Sequence, residues 1–308
     1  MLPHISLYHI AESVTDQNLL YNGAMKKDEI FLCAINNVLS GSCSEDCRFC
    51  TQSARYRASI ERYSYKEESR VLREAEEAAA NGALGYCLVS AGRALDEKTT
   101  EYIARLARLL SGKLPRLRLI ACNGTASIEQ LRHLKAHGIF SYNHNLETSE
   151  RYYPEICTTH TWQERYATCD AVKRAGLSLC TGGIFGMGER REDRESLLRS
   201  IRDLKPDSVP LNFYIPNPAL PLTERTIDRE GALAVIRRSR ELMPDLALLM
   251  VAGGREQLFN GYEEAMFSAG ANAIVLGDYL TAPGEAPDHD RRKVTELGYR
   301  IATECHGS

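Results

Sequence analysis

A chain of 308 residues, 44% hydrophobic and 26% charged, has ordinary globular composition and is long enough for one α/β barrel or two smaller domains. Its formal net charge of -3 offers no strong field for nucleic acid or an anionic membrane surface. No stretch approaches the roughly 20 apolar residues of a membrane span, and MLPHISLYHIAESVTD lacks the basic start and apolar core of a signal peptide, so a cytoplasmic location is expected. Ten cysteines in such a chain point to metals or redox chemistry rather than disulfides.

Apolar, β-rich runs alternate with amphipathic ones. The first strand is predicted over Ile30–Asn37 and leads into GSCSEDCRFCTQSA, where Cys43, Cys47 and Cys50 form a C-x3-C-x2-C spacing. Iron–sulfur clusters normally take four thiolates, so a compact triplet points to a cluster with one iron left open for a substrate or cofactor. A zinc site and a chance spacing are the alternatives; zinc sites read as paired C-x2-C or Cys/His sets, and no second pair lies nearby.

A helix is predicted from about Glu68 to Asn81, with Leu72, Ala75 and Ala79 on one face and Gly82 as its stop. Strand Gly85–Ala91 follows, then a helix from about Thr99 to Leu110 and strand Arg118–Cys122. Ser127 with Gln130 reads as a capping box. Strand Ile139–His144 ends in the polar run Tyr142–Ser149, and a second box, Thr161 with Glu164, opens a helix that stops near Gly176. Strand Leu177–Gly182 enters the glycine-rich GGIFGMGE, which fits neither a dinucleotide fingerprint nor a P-loop. Helix Arg194–Leu204, strand Val209–Tyr214, helix Gly231–Met243, strand Leu246–Ala252, helix Gln257–Ala269 and strand Ala273–Leu276 complete the pattern. Eight strand–helix units imply parallel strands with right-handed crossovers, hence an α/β fold of the (β/α)8 TIM-barrel type in a single domain with its core at about residues 30–280. An open doubly wound sheet is the alternative. In a barrel, chemistry collects at the C-terminal ends of the strands, which is where the cysteine triplet falls.

Cys87, Cys122 and Cys180 lie in or at the ends of three separate strands. Taken singly each reads as core, since cysteine is often a small buried hydrophobe. Taken together, inward thiols from several strands can share one metal cluster inside a barrel. Arg255 can reach the same interior; a permanent cation is an unusual ligand, and its plainer role is to pair with a carboxylate or an anionic cluster. Cys33, Cys169 and Cys157 read as structural, although Cys157 precedes a helix N-terminus where a thiolate is favoured. Cys305 has no assigned role. Asn143 and Asn145 share a face if both are extended, and Asn212 ends its strand similarly; amides there suit a neutral hydrogen-bonding ligand such as a urea or ribose, with an Asx-rich turn as the alternative. Arg165 is either a carboxylate clamp or a solvated helix residue.

CSEDCRFC resembles the cluster motif of the radical S-adenosylmethionine enzymes. With GYCLVSA, YNHNLETS, LCTGGIFGMGE, VPLNF and AGGREQ, the chain from about Phe31 to Leu280 resembles the biotin synthase family. The resemblance implies that Cys43, Cys47 and Cys50 hold a 4Fe–4S cluster whose open iron chelates S-adenosylmethionine. By the same token Phe49, Asn145, Glu147, Arg165 and Ile184 surround that cofactor, with Glu147 in a position usually held by Asp. It further implies that Cys87, Cys122, Cys180 and Arg255 hold an auxiliary iron–sulfur cluster, usually 2Fe–2S, and that Asn143, Asn145 and Asn212 contact dethiobiotin. In that family S-adenosylmethionine is cleaved to a 5′-deoxyadenosyl radical that takes hydrogen from dethiobiotin, and the auxiliary cluster surrenders the sulfur that closes the biotin ring. A homodimer and a reduced flavodoxin or ferredoxin-type electron donor are implied as well.

Two departures fall in the auxiliary site. Only Asn123 separates Cys122 from Gly124, two residues fewer than usual, and Gly85-Tyr86 stands where an arginine commonly precedes the second strand's cysteine. Either the loop is two residues shorter or the cysteine sits two further along its strand, a shift that keeps the thiol on the same face but moves it about 7 Å, so the sequence leaves the auxiliary cluster's type open. The competing readings are a related radical enzyme without sulfur insertion, of the hydrogenase-maturation or amino-acid mutase type, and a non-enzymatic cluster carrier.

Overall fold

Residues 28–260, 263–281 and 284–304 are described by the computed structural model. The long first run forms β1 (Glu29–Leu39), and the strands that follow are β2 (Gly85–Ser90), β3 (Arg118–Cys122), β4 (Ser141–Asn143), β5 (Ser178–Cys180), β6 (Gly183–Phe185), β7 (Ser208–Phe213), β8 (Leu248–Val251) and β9 (Ala273–Leu276). Every pairing is parallel, and the order β1-β2-β3-β4-β5-β7-β8-β9 closes on itself through β9 and β1. This is the expected eight-stranded barrel. The fifth predicted strand is interrupted: β5 and β6 pair in succession with β7, at Cys180–Ser208 and then at Gly183–Leu211. A short β10 (Arg300–Ile301) lies beside the start of β1.

The helices are α1 (Glu68–Ala80), α2 (Glu97–Lys113), α3 (Ile128–Ala136), α4 (Trp162–Arg174), α5 (Arg191–Asp203), α6 (Arg229–Leu242), α7 (Arg255–Phe259), α8 (Glu263–Ser268) and α9 (Pro287–Glu296). Both predicted capping boxes are formed, at Ser127 with Gln130 and Thr161 with Glu164, each satisfying backbone donors that a helix start leaves orphaned. The single helix predicted over Gln257–Ala269 is two helices, because Asn260 adopts an extended backbone (ψ 117°) and ends α7.

Strand alternation divides the interior in two. Outward residues such as Leu32, Leu88, Leu119 and Leu179 pack under the helices with Val71, Ile103, Leu106, Leu131 and Val172. Each such fully buried side chain contributes about 1.5–3 kcal/mol. Inward residues form a second apolar cluster, with Phe31, Cys33, Leu248, Met250 and Val275, on the inner wall of the cylinder. Cys305 lies outside the described residues.

Candidate active site in the barrel lumen

The cysteine triplet follows β1 as a loop pinned from several sides. Both backbone groups of Cys43 are bonded across it: Cys43 N donates to Gln52 O at 3.2 Å and Ala54 N donates to Cys43 O at 2.7 Å. Asp46 fixes its middle: it accepts from Thr158 N (2.9 Å), Thr159 N (3.2 Å), Thr159 Oγ1 (3.0 Å) and the Thr158 hydroxyl. Burial works against this carboxylate, but those donors outweigh it and hold it far below the usual carboxylate range. Burial pushes the Cys43 thiol up and the Cys50 thiol up to about 12, so ionising them in this setting calls for a cation such as iron.

Cys47 Sγ lies 3.6 Å from Cys157 Sγ, a neighbour that the sequence reading took as structural. Cys157 in turn lies 3.3 Å from His160 Nδ1, which is 2.6 Å from Glu45 Oε2. The hydrogen bond between the two thiols and burial raise Cys47, while that same bond, with His160, lowers Cys157 to about 4 against the effect of burial. Cys47, Cys157 and His160 are the one group among the described residues whose ligand atoms all lie within 4.8 Å. The sequence signal was present, as C-x2-H after a 3₁₀ turn, but nothing in the chain order placed it against a loop 110 residues earlier.

Inside the barrel is a cavity of about 400 Å³. Cys50, Phe49, Thr51 and Gln52 of the triplet loop line it, as do Cys87 of β2, Cys122 of β3 and Cys180 of β5. Strand register explains the convergence. Cys87 is level with Ile120, and Cys122, two residues on, is level with Val89, so Cys122 keeps the inward face of β3 one rung above Cys87. Cys180 is level with Asn143 on one side and Ser208 on the other. A hydrogen bond with Cys122 and burial both push the Cys87 thiol well up; burial takes Cys180 to about 12.

The predicted polar residues meet at the same cavity. Asn143, Asn145, Glu147, Ile184 and Asn212 all line it. Asn145 Oδ1 accepts from Gly182 N at 3.1 Å, and Asn212 Oδ1 from Gly253 N at 3.0 Å. Glu147 has a positive φ of 68°, unusual for a side-chain-bearing residue, and its carbonyl accepts from Ile184 N at 2.8 Å. Gly183 makes that approach feasible: a Cβ there would sit 2.7 Å from Glu147 O. Arg165 stands behind this edge rather than in it, donating to Asn145 O (2.5 Å) and Glu147 Oε1 (3.1 Å). Burial raises the Glu147 carboxyl, and the Arg165 charge opposes that rise.

Arg255 takes the plainer of its two roles, pairing with carboxylates. It does not line the cavity. Its guanidinium holds Asp290 of α9 through two 2.9 Å contacts and Glu256 through a third, with its side chain 4% exposed. A buried cation is drawn to carboxylates that can match its fork, and here they lie outside the lumen. Cys33, read as core, is buried in the inner-wall cluster and also lines the cavity with the thiols. Two-residue alternation along Phe31, Cys33 and Ile35 was the signal that could have revealed it. Cys169 is core as read, its thiol 3.1 Å from His144 O.

The donor set suits iron–sulfur clusters and an adenosylated cofactor. Thiolates are the soft ligands that such clusters take. The lumen cysteines include no trio within 4.8 Å, so they are not gathered around a single ion but spread about a cavity with room for a polynuclear core. Among the described residues Asn143 Oδ1 and Glu147 Oε2 are buried acceptors with no protein partner, at the cavity where hydroxyl or amide donors of a ligand would satisfy them.

Comparison with known proteins agrees. Residues 37–201 match the model of the radical SAM superfamily, and residues 210–300 match the Biotin and Thiamin Synthesis associated domain. The chain is 63% identical to the biotin synthase of Sulfurovum sp. over 279 residues, covering 91% of this chain and 98% of that one. It is 52% identical to the biotin synthase of Nitratiruptor sp., with 90% and 99% covered. Among solved structures it superposes on methylornithine synthase (TM-score 0.75, 18% identity, 89% and 84% covered) and on the hydrogenase maturase HydG from Carboxydothermus hydrogenoformans (TM-score 0.78, 14% identity, 94% and 70% covered), likenesses of fold alone. Cluster loop, lumen thiols and relatives together make this chain a member of the biotin synthase family within the radical SAM superfamily.

Proposed function

We propose that this chain converts dethiobiotin to biotin by radical sulfur insertion. The observation that carries the reading is one cavity bounded at its mouth by the triplet loop, through Cys50 and Phe49, and deeper in by Cys87, Cys122 and Cys180, with Asn143, Asn145 and Asn212 on the same lining. When bound, a 4Fe–4S cluster on Cys43, Cys47 and Cys50 supplies the electron that cleaves S-adenosylmethionine, and an auxiliary cluster on the lumen thiols supplies the sulfur.

The chain's own residues do the rest. Glu147 and Asn145 offer acceptors for the cofactor's ribose, Ile184 and Phe49 offer apolar surface, and Arg165 holds Glu147 in place. The carboxamides of Asn143 and Asn212 are suited to a cyclic urea, which presents both donors and an acceptor. The apolar wall of Leu248, Met250, Ala252 and Val275 keeps water from the reacting carbon. Among the described residues no helix is long and apolar enough to cross a membrane. A cytoplasmic homodimer fed by a reduced flavodoxin or ferredoxin-type donor belongs to the same reading.

Anaerobic protein reconstituted with iron and sulfide, then given dithionite, S-adenosylmethionine and dethiobiotin, is expected to yield 5′-deoxyadenosine, methionine and biotin. Iron corresponding to a single cluster, with 5′-deoxyadenosine but no biotin, would favour a radical enzyme without sulfur insertion. No 5′-deoxyadenosine at all would favour a cluster carrier.

A further inference from the structure

The cavity lining holds one thiol that the family pattern does not use. Phe31, Cys33 and Ile35 are the inward residues of β1, and Cys33 is level with Gly85 on one side and Val275 on the other. Gly85 matters because it is the next inward position on β2 below Cys87. With no side chain there, the space beside Cys33 stays open: a Cβ on Gly85 would lie 3.1 Å from Cys33 Sγ, 3.2 Å from Phe31 and 3.3 Å from Ile120. Cys33, Cys87, Cys122 and Cys180 all line the one cavity of about 400 Å³.

Among the described residues the only other thiol on the lining is Cys50 of the triplet loop. The lining from β8, the residue that follows it, and β9 is Leu248, Met250, Ala252 and Val275. Arg255 is committed to Asp290 and Glu256, and exchanging that buried pair for a metal would strand two carboxylates. Arg118, at the Gly85 level of β3, brings the cavity a cation in its place, with its guanidinium 4.9 Å over the Phe140 ring. Four thiolates are the usual complement of an iron–sulfur cluster, and a nearby arginine balances their charge.

We propose that Cys33 is the fourth protein ligand of the auxiliary cluster, completing a set with Cys87, Cys122 and Cys180, and that Arg255 is a structural cation outside the ligand set. The proposal rests on the reading that the lumen holds an auxiliary cluster at all.

The test uses the full chain carrying Cys43→Ala, Cys47→Ala and Cys50→Ala, so that only the lumen can load. After anaerobic reconstitution and desalting against a chelator, iron, sulfide and Mössbauer spectra report the lumen site. Adding Cys33→Ser is expected to cut retained iron about tenfold or more, while Arg255→Lys leaves iron content and spectrum unchanged. Cys33→Val, which suits the apolar neighbours, controls for folding: it should lose iron while keeping the parent's circular dichroism and melting. Full iron with an unaltered spectrum in Cys33→Ser overturns the assignment, as does iron loss in Arg255→Lys alone. No lumen iron in the triple variant with Cys33 intact overturns the auxiliary-cluster reading itself, a result distinct from the other two. Alkylation mapping by mass spectrometry on the unmutated chain gives an independent check. Cluster loading should shield Cys33 together with Cys87, and modification of Cys33 while Cys87 is shielded counts against the proposal.

Discussion

Arg165 reaches Glu147 across 3.1 Å in a position where neither side chain is more than 14% exposed. Glu147 lines the cavity and Arg165 stands behind it, so Arg165 bears on a ligand there through Glu147. Removing the cation alone leaves a buried carboxylate without its partner. Arg165→Ala is therefore expected to destabilise the fold by about 3–5 kcal/mol, read by denaturant unfolding. Glu147→Gln keeps the shape but loses the anion, and loses one charge-assisted hydrogen bond worth about 1.5–3 kcal/mol. It should weaken S-adenosylmethionine binding about 10- to 100-fold in calorimetry on reconstituted protein, and it should also lower the melting temperature, because Arg165 is left buried without its counter-charge.

The two thiol sets should separate in a product assay. Cys47→Ala should abolish release of 5′-deoxyadenosine and methionine. Cys180→Ala should leave that cleavage largely intact yet form no biotin. Both products are quantified by mass spectrometry from one anaerobic incubation; equal loss of both in Cys180→Ala would make that residue structural.

Asp193 makes the acid limb of stability predictable. It is buried, which raises its carboxyl, but bonds from Arg151, Ser149 and Arg190 N outweigh burial and hold it below the ordinary value. A carboxyl depressed on folding contributes stability that is fully present above the unfolded-state value, near 4, and is lost as pH falls through its folded-state value. Asp193→Asn should lower stability at neutral pH and flatten the decline below about pH 4, measured by urea unfolding across that range.

Gly182, between β5 and β6, passes so close to β7 that a Cβ would lie 1.9 Å from Pro210 O. Gly182→Ala forces backbone apart and is expected to cost about 1–3 kcal/mol or more. Because the same residue donates to Asn145 Oδ1, dethiobiotin and S-adenosylmethionine binding should weaken together in calorimetry.

Most of this molecule is legible in one sequence because it is periodic. The eight strands and the Ser127 and Thr161 caps follow from local spacing and local hydrogen bonding. Cys43, Cys47 and Cys50 are legible for the same reason, being packed into one short motif. What escaped is what depends on register between distant strands. Cys33 looks like core until β1 is aligned with β2, which sets it beside a glycine. Arg255 looks like a lumen residue until α9 folds back and brings Asp290 to it. Cys157 gains its meaning only when the 3₁₀ turn at Tyr153–Glu155 docks under the triplet loop.

The Asp46 clamp holds the triplet loop through protein hydrogen bonds alone. Gathering three thiols from a flexible loop is an entropic expense that small zinc domains meet with metal binding itself. Here four hydrogen bonds to Thr158 and Thr159 meet it as the barrel closes. A loop held in this way keeps its course without metal, so stripping a bound cluster with a chelator is expected to leave the melting of the barrel little changed.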